Sequence, residues 1–302
     1  MQPTLKQLQI FEAAARLGSH TQAAREVHLT QPAVSIQLKR LEEIVGLLLF
    51  EQVGRNISLT EAGKVMLQHA RTILEDFEAL GAEADEIKGL QSGKLRISTV
   101  TTVNYFAPTL LRTFCVRHPG ITVVMDVANR QELLREMAEN AVDMTIMGRP
   151  PDDEDFQAEP FLENPLVIVA PPNHPLAKDK IIPVALLADQ VFLMREPGSG
   201  TRSAMERFFA EHEIKVTTSI EVSGAEALKQ SVQAGLGLAL TSRDAVELEV
   251  KSGRLVELNI PGLPIHRDWY LVHRASKRLS PSARAFKTFI INEAAGLLGR
   301  DG

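Results

Sequence analysis

"SHTQAAREVHLTQPAVSIQLKRLEE", residues 19–43, decides how the front of this chain folds. Its second half has helical spacing but carries Pro32 near its start. Proline inside a helix removes a hydrogen bond and clashes with the preceding turn. The neighbours resolve the conflict. Thr30 offers a side-chain oxygen that can accept from a free backbone N–H of the next helix. Pro32 then falls in the first turn, where its missing N–H has no helical partner to lose. The proline starts the helix. Behind it Val34, Leu38, Leu41 and Val45 recur at helical spacing and face a core. Gln31, Pro32, Ser35, Ile36 and Lys39 are left on the other side.

Upstream, Ala23, Ala24 and Val27 give a small apolar face for close packing, and "HLT", residues 28–30, reads as a tight turn. Two helices joined by a short turn, the second with a polar nose, make a helix-turn-helix. Such a unit lays the N-terminal residues of its second helix against base edges in the major groove. Gln and Ser hydrogen-bond bases or phosphates. A solvated helix face is the alternative.

The next segment favours the helix-turn-helix. "LLLFEQVGRNISLTEAG", residues 47–63, has two short apolar pieces around "VGRN" and reads as a hairpin with Arg55 at its tip. A basic hairpin beside such a helix is a wing, placed to reach the minor groove or phosphates. Thr60 caps the long helix that follows, with Glu61 in its first turn. That helix carries a stripe of Ala62, Val65, Ala70, Ile73, Leu74, Phe77, Leu80, Ala84 and Ile87. The stripe is too long for a small winged domain to cover, so a partner helix is expected on it. Residues 61–88 hold seven Asp/Glu against three Lys/Arg, which suits solvent and not DNA.

Length and composition set outer bounds. The 302 residues suffice for two or three domains. No apolar run reaches bilayer-spanning length. "MQPTLKQLQIFEAAARLGSH", residues 1–20, lacks the basic start and apolar core of a signal peptide. Cys115 is the one cysteine, so no internal disulfide forms, which fits a cytoplasmic protein. It sits in an apolar helical pattern and is expected to be buried. The net charge of −5 argues against nucleic acid when taken alone. Residues 1–60 hold six Lys/Arg and five Glu, so DNA affinity must come from local placement and multiple copies.

"GLQSG", residues 89–93, breaks the long helix as a hinge, and from Lys94 strand and helix patterns alternate in the manner of an α/β fold. The strands read as "GKLRISTV" (93–100), "ITVVMDV" (121–127), "VDMTIM" (142–147), "LVIVAPP" (166–172), "VFLMR" (191–195), "TSIEV" (218–222), "LGLAL" (236–240) and "WYLVHR" (269–274). "TTVNYFAPTLLRTF", residues 101–114, follows the first strand as one capped helix.

The first 90 residues resemble the LysR-type transcriptional regulators. "LKQLQIFEAAARLGSHTQAAREVHLTQPAVSIQLKRLEE", "LFEQVGRNISLTEAG" and the long helix carry that resemblance in order and spacing. It implies a fold of three parts. An all-α winged helix-turn-helix domain (1–60) precedes a linker and dimerisation helix (61–88) and a hinge (89–93). An α/β two-lobed effector domain of periplasmic-binding-protein type (94–302) follows. Lobe one would take 94–164 and about 269–302, and lobe two about 165–268. Many members carry Arg directly after the recognition-helix serine and another after "LFE". Ile36 and Gln52 stand there in this chain, so two basic contacts are absent. "TVNYFAPTLL", "AENAVDMTIMGRPP", "REPGSGTR" and "QAGLGLAL" are similar to the CbbR-like subgroup, which regulates Calvin-cycle carboxylase operons and inorganic-carbon uptake. The resemblance implies operator DNA, RNA polymerase and a homodimer or homotetramer as partners, and a small-molecule effector with no cofactor. Sugar phosphates, phosphoglycolate-like acids and nucleotide cofactors are the subgroup's signals.

The effector is expected between the lobes, at strand ends and helix N-termini. Thr101 and Thr102 sit at a strand-to-helix turn. Asn129 and Arg130 open a helix. Gly148 and Arg149 end a strand. Glu196, Gly198, Ser199, Gly200, Thr201 and Arg202 form a glycine-rich loop leading into a helix. Glycines let backbone approach a ligand, and a helix start favours an anion. Arg202 offers a bidentate contact to phosphate or carboxylate. A plain turn accounts for Gly-Ser-Gly equally well.

Two other function classes fit the residues less well. For an enzyme there is no G-x-S-x-G elbow, no H-E-x-x-H and no Cys/His ligand spacing, so no catalytic residue or metal ligand is assigned. His118, His174 and His266 each sit near a proline and read as loop residues. A free solute-binding protein is opposed by the winged domain and by the lack of a signal peptide.

Overall fold

The computed structural model describes residues 2–53, 56–86 and 93–300. They form two compact units, one centred on 2–86 and the other on 93–300.

The first unit comprises α1 (Leu5–Leu17), α2 (His20–Glu26), α3 (Gln31–Val45), β1 (Phe50–Val53), β2 (Asn56–Leu59) and α4 (Glu61–Glu86). Each early helix starts on a hydroxyl. Thr4 makes a capping box with Gln7, Ser19 caps α2, and Thr30 Oγ1 accepts from the Ala33 N–H at 3.4 Å, with proline in the first turn of α3. Gly46 ends α3 at φ 76°, a left-handed conformation that costs glycine nothing. Val34, Leu38 and Leu41 of α3 are buried against Ile10, Phe11 and Ala14 of α1 and Leu49 before the hairpin. Each fully buried leucine contributes roughly 1.5–3 kcal/mol by burial. Glu42 ties α3 to the hairpin by accepting from the N–H groups of Leu49 and Phe50 at 2.8 and 3.3 Å. β1 and β2 pair antiparallel, Phe50 opposite Leu59. Arg55 lies outside the described residues, as do Ile87 and hinge residues 89–92.

Thr60 caps α4 by accepting from Gly63 N–H at 3.0 Å. Gly63 is required: a Cβ there would lie 2.1 Å from the Leu49 carbonyl oxygen. The expected single stripe on α4 divides in two. Ala62, Met66, Leu67, Ala70 and Leu74 pack on the unit's own core. Val65, Ile73, Phe77 and Leu80 are exposed.

The second unit runs β3 (Gly93–Val100), a 3-10 helix (Thr101–Tyr105), α5 (Ala107–Arg117), β4 (Ile121–Ala128), α6 (Arg130–Ala138), β5 (Met144–Met147) and β6 (Phe156–Glu163). It continues through β7 (Leu166–Ala170), β8 (Val191–Arg195), α7 (Gly200–Glu211), β9 (Thr217–Val222), α8 (Ala225–Gln233), β10 (Ala239–Ser242) and α9 (Arg243–Lys251). It ends with β11 (Val256–Glu257), β12 (Asp268–Arg274) and α10 (Pro281–Leu297).

One sheet has the order β4-β3-β5-β12-β6. β3 pairs parallel with β4 and β5, and β12 antiparallel with β5 and β6. Its core joins Leu95, Ile97, Ile146, Trp269 and Leu271 to Phe114 of α5 and Phe286 of α10. A second lobe combines the order β10-β7-β11 with the parallel pair β8-β9, linked by a bridge between Phe192 and Leu238. The chain passes between lobes twice. The two crossings lie side by side, Leu166 exchanging backbone hydrogen bonds with Ile265 at 3.0 and 2.9 Å.

The structure departs from the local sequence pattern in places. The segment 101–114 is not one helix: a 3-10 helix ends at Tyr105 and α5 starts at Ala107, with proline in its first turn. β6 is hidden in the sequence because Pro160 interrupts its pattern, which an edge strand tolerates. α9 is a further element beyond the expected set. Cys115 is partly exposed and not fully buried.

Candidate functional site

Two surfaces carry the candidate residues. On α3, Gln31, Pro32, Ile36 and Lys39 are exposed and Ser35 is half-buried. Ile36 is 54% exposed, a large apolar side chain offered to solvent at the helix nose. The Gln31 amide donates to Ser35 Oγ at 3.0 Å. Ser35 Oγ also lies 3.4 Å from His20 Nδ1 of α2. His20 packs edge-on against Phe50, and burial lowers its pKa against the opposing pull of Glu42. The polar nose is therefore held in a fixed arrangement by its neighbours. Thr30 is occupied as the cap. His20 is not legible in the sequence as part of this surface, because it precedes Ser35 by fifteen residues and lies on the other helix.

The second surface is a cleft between the lobes of the second unit, enclosing about 420 Å³ of space that includes open solvent. The β3 end contributes Thr101 and Thr102, and the β4 end Asn129 and Arg130. The β5 end contributes Gly148 and Arg149, and lobe two supplies Glu196, Ser199, Gly200 and Thr201. These ten expected residues come together there. Gly198 and Arg202 do not line the cleft. Arg202 turns away because its guanidinium is engaged elsewhere. It donates to Glu206 at 2.9 Å, to Glu221 at 2.6 Å and to the Arg195 carbonyl at 3.0 Å. Glu206, then Glu221, raise its pKa. Only its backbone serves the loop, its N–H meeting the Ser199 cap at 3.5 Å.

Two arginines not anticipated do line the cleft. Arg195, at the end of β8, is nearly buried and forms a two-pronged pair with Glu196 at 2.7 and 2.8 Å. Its second prong reaches Thr101 Oγ1 at 3.4 Å, bridging the lobes. Burial works to raise the Glu196 pKa, but Arg195 and the Gly224 N–H outweigh it and the net shift is downward. Arg195 is thus neutralised.

Arg267 is different. It stands where the chain crosses back into β12, over the Trp269 ring at 6.0 Å, with Nη1 3.5 Å from the Gly200 carbonyl. With its amide oxygen turned towards the guanidinium, the orientation that satisfies both amide ends, Asn164 from the other crossing accepts from Arg267 Nε and Nη2 at 3.1 and 3.2 Å and donates to Ser242 Oγ at 2.8 Å. Among the described residues no carboxylate lies within ion-pair distance of Arg267. Burial, then Arg207, pulls its pKa down to about 10, so it stays charged at neutral pH. A side chain at Gly148 would press on this group, since a Cβ would lie 2.8 Å from the Asn164 amide and 3.1 Å from the Arg267 guanidinium carbon.

Arg130 donates to the carbonyls of Arg149 and Pro150 at 3.2 and 3.3 Å, and Arg149 reaches Asp152 at 3.3 Å. Burial, then Arg149, lowers the Arg130 pKa against Asp152. The lining holds four arginines and one glutamate, so its field is positive. The N-terminus of α7, capped by Ser199, adds partial positive charge. A small anion suits this geometry. No His, Cys, Asp or Glu grouping among the described residues is placed to hold a metal, and no described helix is long and apolar enough to cross a membrane.

Both units of the chain match known protein families. Residues 5–64 match the bacterial regulatory helix-turn-helix protein family of lysR type, and residues 88–295 match the LysR substrate binding domain. The chain belongs to the LysR family and is a DNA-binding transcriptional regulator, not an enzyme. It is 47% identical to the RuBisCO operon transcriptional regulator of Allochromatium vinosum over the whole of both chains. The Synechocystis CcmR regulatory domain in complex with 2-PG is 38% identical with a TM-score of 0.64, covering 66% of this chain and 96% of that one. A full-length OxyR variant from Pseudomonas aeruginosa shares the fold, with a TM-score of 0.77 at 23% identity over 98% of this chain and 95% of that one.

Proposed function

We propose that the chain controls a carbon-fixation operon in response to a small carboxylated or phosphorylated anion held in the cleft. The observation that carries the ligand class is Arg267, a charged guanidinium at the nose of α7 with no carboxylate beside it among the described residues. An anion there gains charge-assisted hydrogen bonds and offsets the desolvation of the partly buried cation. Arg130 and Asn129, at the nose of α6, offer a second anionic end its partner. The 2-PG bound to the CcmR regulatory domain supports this class, and the A. vinosum relative supports the operon.

DNA is read by Gln31, Pro32, Ser35, Ile36 and Lys39, with Thr30 at the cap and Arg55 on the wing. The exposed Ile73, Phe77 and Leu80 join copies into a homodimer, and a pair of dimers makes a homotetramer. The regulator acts in the cytoplasm and, as an activator, engages RNA polymerase.

Calorimetry of the full-length protein with 2-phosphoglycolate, inorganic phosphate and a neutral sugar tests the ligand class. The bifunctional anion should bind tightest, and Arg267→Met should weaken it while Arg202→Ala changes it little. A neutral sugar as the best ligand, or full affinity in Arg267→Met, overturns the reading. Operator capture by wild type but not by a Gln31→Ala, Ser35→Ala double variant tests the DNA face.

A further inference from the structure

Among the described residues, polar contacts join the two lobes of the second unit at several places. One is the Arg195–Thr101 contact inside the cleft. A second joins Trp269 of β12 to Asp244 of α9 through the indole N–H at 3.1 Å, with Arg300 on the other carboxylate oxygen at 2.5 Å. This seam lies beside the crossings, for the Arg243 N–H bonds the Pro165 carbonyl at 3.0 Å. It marks the hinge side.

A third seam has no crossing residue in it. Tyr105, the last residue of the 3-10 helix, donates its hydroxyl to Glu226 of α8 at 2.9 Å. Its ring covers the Lys229 ammonium at 4.8 Å. Lys229 is nearly buried and paired at 2.9 Å with both Glu226 and Glu249. The same 3-10 helix begins with Thr101 and Thr102, which line the cleft.

We propose that the Tyr105–Glu226–Lys229 cluster is a reversible latch whose engagement is coupled to occupancy of the cleft. The inference rests on the cleft being the effector site. The latch is built to open at small cost. Lys229 keeps two carboxylate partners within lobe two when Tyr105 departs, so no buried charge is stranded. At Tyr105 itself one hydroxyl bond and one ring–cation contact cross, beside the packing of the 3-10 helix on α9. The short 3-10 helix, anchored in the lobe-one core by Val103, ties its cleft-lining first residues directly to Tyr105 at its end. A ligand drawing on Thr101 and Thr102 then favours the latched state only insofar as it binds that state better.

The test uses the full-length protein and its Tyr105→Phe variant, which keeps the ring and loses the hydroxyl. Amide hydrogen exchange is followed by mass spectrometry with and without 2-phosphoglycolate, and affinity by calorimetry. In wild type the ligand should protect residues 101–106 and 225–234 together. In the variant it should protect 101–106 alone, and affinity should fall by about three- to tenfold, the reach of one hydrogen bond. Strands β5 and β7 should exchange as in wild type, which separates a lost latch from a damaged fold. Glu226→Gln gives a second variant that keeps an acceptor for the hydroxyl but loses the charge beside Lys229, and it should lie between the two. Coupled protection that persists in Tyr105→Phe, with unchanged affinity, overturns the latch. If wild type takes up no 2-phosphoglycolate, the ligand assignment fails. Ligand-free exchange then decides: a rise on both segments in the variant supports the latch, and a rise on 101–106 alone refutes it.

Discussion

The proposed DNA-facing helix and the proposed effector cleft are built on opposite plans. Every residue assigned to the nose of α3 lies between Thr30 and Lys39, on one helix and its cap. The cleft gathers arginines from positions 130, 149, 195 and 267, each at the end of a different element. The first surface is set by capping and helical spacing, and its arrangement needs only one small core beneath it. The second exists only when two sheets have formed and the chain has crossed between them twice. Damage should therefore travel differently from each. A core lesion under α3 should abolish reading and leave ligand uptake, whereas a lesion in the cleft should leave reading and abolish response.

The largest expected effect tests that separation. Leu41 is fully buried beneath α3, and Leu41→Ala should cost about 2–5 kcal/mol of stability in the first unit. Operator binding should be lost in gel shifts at working temperature while calorimetry still shows anion uptake. If uptake falls in step with operator binding, the two surfaces are not independent.

Next in size is the cleft pair. Removing a charge-assisted contact at Arg267 by Arg267→Met should weaken anion binding by about 1.5–3 kcal/mol, roughly ten- to hundredfold. Arg202→Ala should stay within about threefold, because that guanidinium is spent on Glu206 and Glu221. The reverse ranking would return the ligand to the glycine-rich loop's own arginine and discard the crossing residue.

That contrast also explains what a reader of the sequence can and cannot see. Thr30, Pro32 and the spacing of Val34, Leu38 and Leu41 signal a capped helix because caps and periodicity are local. Ser199 and Asn129 are legible for the same reason: each stands before a helix. Arg202 looks right by position, just after the glycines, but whether it faces the cleft depends on Glu221 from another strand. Arg267 carries no motif. Its role comes from Asn164 and Gly148, more than a hundred residues earlier, which settle beside it only after folding. Arg195 is visible as a strand end, but its pairing with Glu196 decides that it is neutralised.

A smaller effect sharpens the reading of α3. Ser35→Ala removes a hydroxyl that Gln31 and His20 hold in place. Discrimination between operator and random DNA should fall by about 1–3 kcal/mol at one base position, with little change in affinity for random DNA. Ile36 should prefer a thymine methyl group, and Ile36→Ser should relax that preference. Competition binding at fixed salt reads both. A uniform loss on all sequences would make Ser35 a phosphate contact instead.

The smallest expected effect concerns acid. Glu226 is held down to a pKa of about 2, first by the Gln230 amide and Lys229, with Tyr105 adding a third bond and burial opposing. Glu249 shares Lys229 from α9, and the Tyr105 hydroxyl is itself pushed up to about 12, so neither Tyr105 nor Lys229 titrates below neutrality. A carboxylate whose folded pKa lies below its ordinary 4.5 stabilises the fold fully above that ordinary value. The contribution fades as pH falls towards 2. Glu226 is 61% exposed, so water screens the pair and the neutral-pH contribution should stay under about 1 kcal/mol. Chemical denaturation of wild type and Glu226→Gln should therefore differ slightly at pH 7 and converge as pH drops from about 4.5 towards 2. A gap that widened in acid would mean that protonated Glu226 stabilises the seam, which its cationic and donor partners forbid.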